Sequence, residues 1–107
     1  MVKITFYQSS DGYLTGFDCR DHAGYSDEED IVCSAVSALT INCINSVEKL
    51  TCARFNCDSS EGEAHISFSL KDFADASAQL LLKSLSLGLQ DIESNYEGYI
   101  DLIFEEV

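Results

Sequence analysis

The chain of 107 residues has no proline and no tryptophan, and only six lysines and arginines stand against nineteen aspartates and glutamates. Each shortage excludes something. With no proline-rich or Gly/Ser-rich stretch there is no linker and no domain boundary, so residues 1–107 are expected to form a single domain. A formal net charge of −13 leaves few cations to neutralise phosphates, which argues against direct nucleic-acid binding. The unbroken apolar runs fall far short of the roughly 18 residues that a membrane span needs, so no membrane partner is expected. The opening MVKITFYQSS alternates apolar and polar residues and lacks the apolar core of a secretory signal, which points to the cytoplasm.

Several chemistries are missing as well. No Cys-x-x-Cys occurs, which removes a thioredoxin-like couple. SAVSALT, residues 34–40, contains no arginine to hold a phosphate behind Cys33, which removes a phosphatase-type cysteine. The five cysteines (Cys19, Cys33, Cys43, Cys52 and Cys57) are odd in number and lack framework spacing; they are expected to be reduced and mostly to act as small apolar residues. Cys52 and Cys57 are expected on opposite faces of one strand, and His65 on the polar face of another as a surface histidine, so neither a metal nor a cofactor is expected. Cys43 lies ten residues beyond Cys33, about 15 Å along a helix, too far to serve it as a resolving thiol.

What is present reads as alternating short strands and long helices. Val2, Ile4 and Phe6 alternate with Lys3, Thr5 and Tyr7 in a first strand; SSDG makes a turn; residues 13–20 form a second strand. A loop over 21–29 leads to a helix over 30–49, capped by Asp30 and carrying Ile31, Ala35, Leu39, Cys43 and Val47 on its apolar side. A third strand over 52–57, the turn DSSEGE and a fourth strand over 64–70 follow. Asp72 is expected to cap a second helix over 73–93, with an apolar stripe of Phe73, Ala76, Leu80 and Leu85. NYEG then turns into a last strand bearing Ile100, Leu102 and Phe104. The order ββαββαβ predicts an α+β fold, a mainly antiparallel sheet packed by two long helices.

The stretch HAGYSDEEDIVCSAV, His22 to Val36, concentrates the chemistry. With Asp30 as cap, Cys33 falls in the first helical turn, where unpaired N–H groups and the helix dipole favour thiolate over thiol. His22, eleven residues upstream at the end of the second strand, is a reachable base. Asp30, Cys33 and Ser37 share one helix face by spacing. The bland readings stand beside this one: Cys33 as a small residue packed under the loop, His22 as a solvated imidazole, DEED as a hydrated acidic turn. The negative charge likewise reads either as solubility or as steering of a basic partner.

HAGY followed by DIVCSAVSALTINCINSVEKL resembles the ribosomal-processing cysteine protease Prp family of Firmicutes and related bacteria. The opening MVKITFYQSSDGYLTGF and the element order share the resemblance, which covers essentially the whole chain and is most specific over residues 22–48. It implies a cysteine endopeptidase with His22 and Cys33 as catalytic pair, and Asp30 and Ser37 in support. It implies a substrate, too: the N-terminal extension of the twenty-seventh large-subunit ribosomal protein, cut after a phenylalanine-containing segment and before the basic mature N-terminus, by a homodimer. On that reading Cys33 attacks the scissile carbonyl, His22 moves the proton, and the backbone N–H groups of Cys33 and Ser34 hold the oxyanion. Residues 23–29 form a lid, with Ala23, Gly24 and Tyr25 facing substrate. Many members have Gly where this chain has Asp21, and a slightly longer, more glycine-rich loop. The alternative of another class is a non-catalytic acidic module that holds a basic ribosomal protein without cutting it.

Overall fold

The computed structural model describes residues 1–21, 27–60 and 65–107. Along the chain run β1 (Val2–Gln8), β2 (Leu14–Asp21), α1 (Asp27–Leu50), β3 (Phe55–Ser60), β4 (His65–Leu70), α2 (Ala76–Asn95) and β5 (Ile100–Glu106). The five strands form one sheet in the order β3-β4-β2-β1-β5. All neighbouring pairs are antiparallel except β1 with β5, which is parallel. The α+β architecture, with its mainly antiparallel sheet and two long helices, is the expected one. Each helix spans a crossover between strands that run the same way, β2 to β3 and β4 to β5.

Alternation decides which face is covered. Val2, Ile4 and Phe6 are buried while Lys3 is exposed, so the first of these sets meets the helices. The register then aligns phenylalanines across the sheet: Phe6 opposite Phe17, Phe17 opposite Phe68, and Phe6 opposite Phe104. Their rings touch in sequence, Phe104–Phe6 at 5.5 Å, Phe6–Phe17 at 5.7 Å and Phe17–Phe68 at 5.1 Å, and Phe55 of β3 closes on Phe68 at 5.1 Å. Five of the six phenylalanines thus form one row across all five strands. Val32, Val36, Cys43 and Val47 of α1 and Ala78, Leu82, Leu85 and Leu89 of α2 join the same core. Beside the row, a β-carbon on Gly16 would lie 2.3 Å from the Phe68 carbonyl oxygen, so only glycine lets β2 and β4 approach this closely. Buried Gln79 ties α2 to the start of β2: it accepts from the Leu14 N–H at 2.9 Å, and its amide donates to the carbonyls of Leu14 and Phe73, each at 2.7 Å.

Three boundaries differ from expectation. The first helix begins at Asp27 rather than Asp30. β3 spans Phe55–Ser60 rather than 52–57: Thr51 bonds back to the Val47 carbonyl at 2.6 Å and accepts from Ala53 at 3.1 Å, so Cys52 and Ala53 form the turn that follows α1 rather than a strand. The second helix is capped by Asp75, whose carboxylate accepts from Ala78 N–H at 2.8 Å. Asp72 is engaged elsewhere, in a paired contact with Arg54 (Nε at 3.1 Å, Nη2 at 2.9 Å). The expected stripe of that helix is mostly outside; Leu80 is 69% exposed, and of the four residues only Leu85 is in the core. Finally, Ile31–Leu50 is long and apolar enough, by length and composition, to cross a membrane, which a search for unbroken apolar runs does not register. Four of its apolar residues lie in the core named above.

Replacing Phe17 by Ala removes the centre of the aromatic row and should destabilise the fold by about 3–5 kcal/mol, measured by denaturant unfolding. Hydrogen bonds from the Arg54 side chain, then its backbone N–H, hold the Asp72 carboxyl down at about 2 instead of 3.8. A carboxyl lowered in the folded state adds stability that is present above pH 4 and is lost as the pH falls towards 2. Arg54→Ala should return Asp72 towards 3.8, read from its carboxyl carbon in an NMR titration, and should flatten that acid limb.

Candidate active site

β2 runs to Asp21, paired with Val2, and α1 starts at Asp27. His22 therefore follows directly on the last residue of the strand, but it lies outside the described residues, as do Ala23, Gly24 and Tyr25. Cys33 is the seventh residue of α1, not the third. It is partly buried and packs against the core, while Ser37, one turn on, is exposed. Positions 30, 33 and 37 fall along one side of the helix, as expected.

The earlier helix start corrects three expectations. Asp30 is inside the helix and is not its N-cap. Residues 27–29 are helical, so a lid over 23–29 is shortened from its C-terminal end. The N–H groups of Cys33 and Ser34 lie beyond the first turn, where a regular helix directs them to the carbonyls of Glu29 and Asp30. In a regular helix the first amides, here those of residues 27–29, have no helical partner. A helical side chain leans towards its own N-terminus, so position 33 is tilted back towards that open turn.

The other thiols are poorly placed for chemistry. Burial pushes Cys43 up to about 11, and its thiol donates to the Leu81 carbonyl at 3.7 Å. Cys57 is raised first by burial and then by the charge of Asp58. Cys19 is buried in the core. Cys52 is exposed but lies after the end of α1, and it does not share a strand with Cys57 as expected. All five cysteines carry thiols.

His65 is not a solvated surface residue. It is half-buried and bonds through Nε2 to the Asp18 carboxylate, which also faces Arg20 Nε at 3.5 Å. The signal was hidden because Asp18 and His65 are 47 residues apart and meet only through the pairing of β2 with β4. Strand alternation puts this group on the face away from the helices, so His65 is not a base for Cys33.

A partly buried thiol near the start of a crossover helix, with a histidine eleven residues before it in the chain, supplies the residue types that the thiol-dependent hydrolase class needs. Comparison with known proteins sharpens the class. The sequence model of the family described as "Cysteine protease Prp" matches residues 1–101. The ribosomal processing cysteine protease Prp of Bacillus subtilis strain 168 is 28% identical over 102 residues, covering 91% of each chain. The crystal structure of the essential ribosomal processing protease Prp from S. aureus in complex with a substrate peptide is 26% identical. It overlays with a TM-score of 0.91 and covers 98% of this chain and all of that one. A second S. aureus Prp structure, with a covalently linked product peptide, overlays with a TM-score of 0.89 at 27% identity over the same shares. The chain belongs to the cysteine protease Prp family and is a cysteine protease. That membership removes the non-catalytic acidic module as a reading.

Limited alkylation with iodoacetamide near neutral pH should modify Cys33 before exposed Cys52 by at least about tenfold in rate, as an activated thiol does. Peptide mapping by mass spectrometry reads the order; equal rates at the two sites would mean that exposure alone governs them.

Proposed function

We propose that this enzyme processes a ribosomal protein, removing the N-terminal extension of the twenty-seventh protein of the large subunit in the cytoplasm during ribosome assembly. The supporting observation is the near-complete overlay on an S. aureus ribosomal processing protease that holds a covalently linked product peptide. In this reading Cys33 is the nucleophile. Its thiolate adds to the scissile carbonyl, the amine leaves with a proton delivered by His22, and water then hydrolyses the thioester. Asp30 orients His22, and Ser37 hydrogen-bonds substrate or thiolate. Ala23, Gly24 and Tyr25 line the entry. The first-turn amides of residues 27–29, rather than those of Cys33 and Ser34, are the donors for the oxyanion; such donors are worth roughly 2.7–4 kcal/mol in other proteases. The acidic surface attracts a basic substrate, and the working unit is a homodimer without nucleic-acid or membrane contacts.

Incubation with the extended ribosomal protein should yield N-terminal trimming, read by intact mass. Cys33→Ala and His22→Ala should each lower the rate at least about a thousandfold, as nucleophile and base knockouts do in other proteases. Trimming that persists in Cys33→Ala would remove the nucleophile assignment, and a wild-type enzyme that leaves the extension intact would remove the substrate.

A further inference from the structure

β5 is a border strand of the sheet, and its two halves are treated differently. Val2 N–H donates to Tyr99 at 3.0 Å, and Val107 N–H donates to Gln8 at 2.9 Å. With the parallel register, these bonds turn the backbone groups of residues 101, 103, 105 and 107 towards β1. Residues 100, 102, 104 and 106 therefore point outwards. The outward N–H of Leu102 is taken by the Glu93 carboxylate of α2, at 2.9 Å. Among the described residues, no side chain is bonded in the same way to Phe104 or Glu106. This open half also exposes two large apolar residues, Ile103 at 44% and Phe104 at 45%, one on each face of the strand. Asp101, Glu105 and Glu106 surround them.

An uncovered edge with apolar side chains is a template for another strand. Charge selects which strand. A second copy pairing through the same edge would bring three carboxylates from each chain together, between molecules of −13 each. An extended segment carrying lysines or arginines would instead place cations beside them. We infer that the outer half of β5, residues 103–106, binds an extended basic peptide segment by strand addition, with Glu93 setting the point where pairing stops. The backbone supplies the affinity, and the flanking acids select for basic residues. This surface is separate from Cys33 and does not depend on the identity of the cleaved substrate.

The probe is a heptapeptide alternating valine with lysine or arginine, titrated into the wild-type protein and followed by fluorescence anisotropy and amide hydrogen exchange. Binding should slow exchange of the Phe104 and Glu106 amides at least about tenfold and leave those of Ile103 and Glu105, already bonded to β1, unchanged. Glu106→Pro deletes one outward N–H without touching the β1 ladder, and it should weaken binding at least about tenfold, against about two- to threefold for the charge control Glu106→Gln. Equal affinities for the two variants would show charge attraction alone and overturn the inference. So would protection that maps to residues 27–37, or an edge found closed by self-association in sedimentation that Glu106→Pro abolishes. The exchange pattern of the wild type decides the question even if the proline variant does not fold.

Discussion

Five aromatic rings laid across five strands fix the register of the whole sheet. A slip of one residue in any pairing would send that strand's ring to the opposite face, so the row tolerates only one alignment. Phe17 sits at its centre, and Gly16 beside it lets β4 come close enough for Phe68 to stack. Because Phe17 is locked between Phe6 and Phe68, β2 is held firmly along its length up to Asp21. The same core grips Val32 and Val36 on either side of Cys33. The segment from Asp21 to Cys33 is thereby anchored at both ends, by β2 and by α1.

The two faces of the sheet divide the polar chemistry. The thiol belongs to the helix side, packed against the core, whereas the other histidine, with Asp18 and Arg20, belongs to the uncovered side. Two carboxylate groups placed near helix starts also behave differently. Asp75 caps α2 through Ala78, while Asp72, three residues earlier, is diverted by Arg54 and pins the start of β3 to the end of β4. The start of α1 at Asp27 puts Cys33 in the second turn. Proximity of the thiol to the open amides then depends on the backward lean of its side chain rather than on first-turn membership.

The element order and the alternating strands were legible because period-two patterns such as Val2-Ile4-Phe6 have one reading. Helix starts were less so. A run of acids, DEED, offers several caps, and only the folded chain selects among them. The inner face of α2 was misread because Leu80, Leu81, Leu82, Leu85, Leu87 and Leu89 support more than one stripe, and packing against α1 and the sheet chose Leu82, Leu85 and Leu89. β3 was displaced because its register is dictated by pairing with β4, from Phe55 opposite Leu70 to Ser60 opposite His65, not by its own composition. At the site, Cys33 and its neighbours were marked by spacing and by family likeness. The Asp18–His65 contact carried no local mark, since strand pairing alone creates it.

The parallel pairing of β1 with β5 also sets an order of assembly. β1 is made first, and its antiparallel partner β2 follows at once through a tight turn, with Gly12 donating to Ser9 at 2.9 Å. Its other flank stays bare until β5, after every other element, has been made. During synthesis Phe6 therefore has an aromatic neighbour on one side only, and the sheet reaches its full width when residues 100–106 have emerged from the ribosome. The long-range closure acts as a timer: a nascent protease is held incomplete at one border of its own sheet until residues 100–106 have been translated.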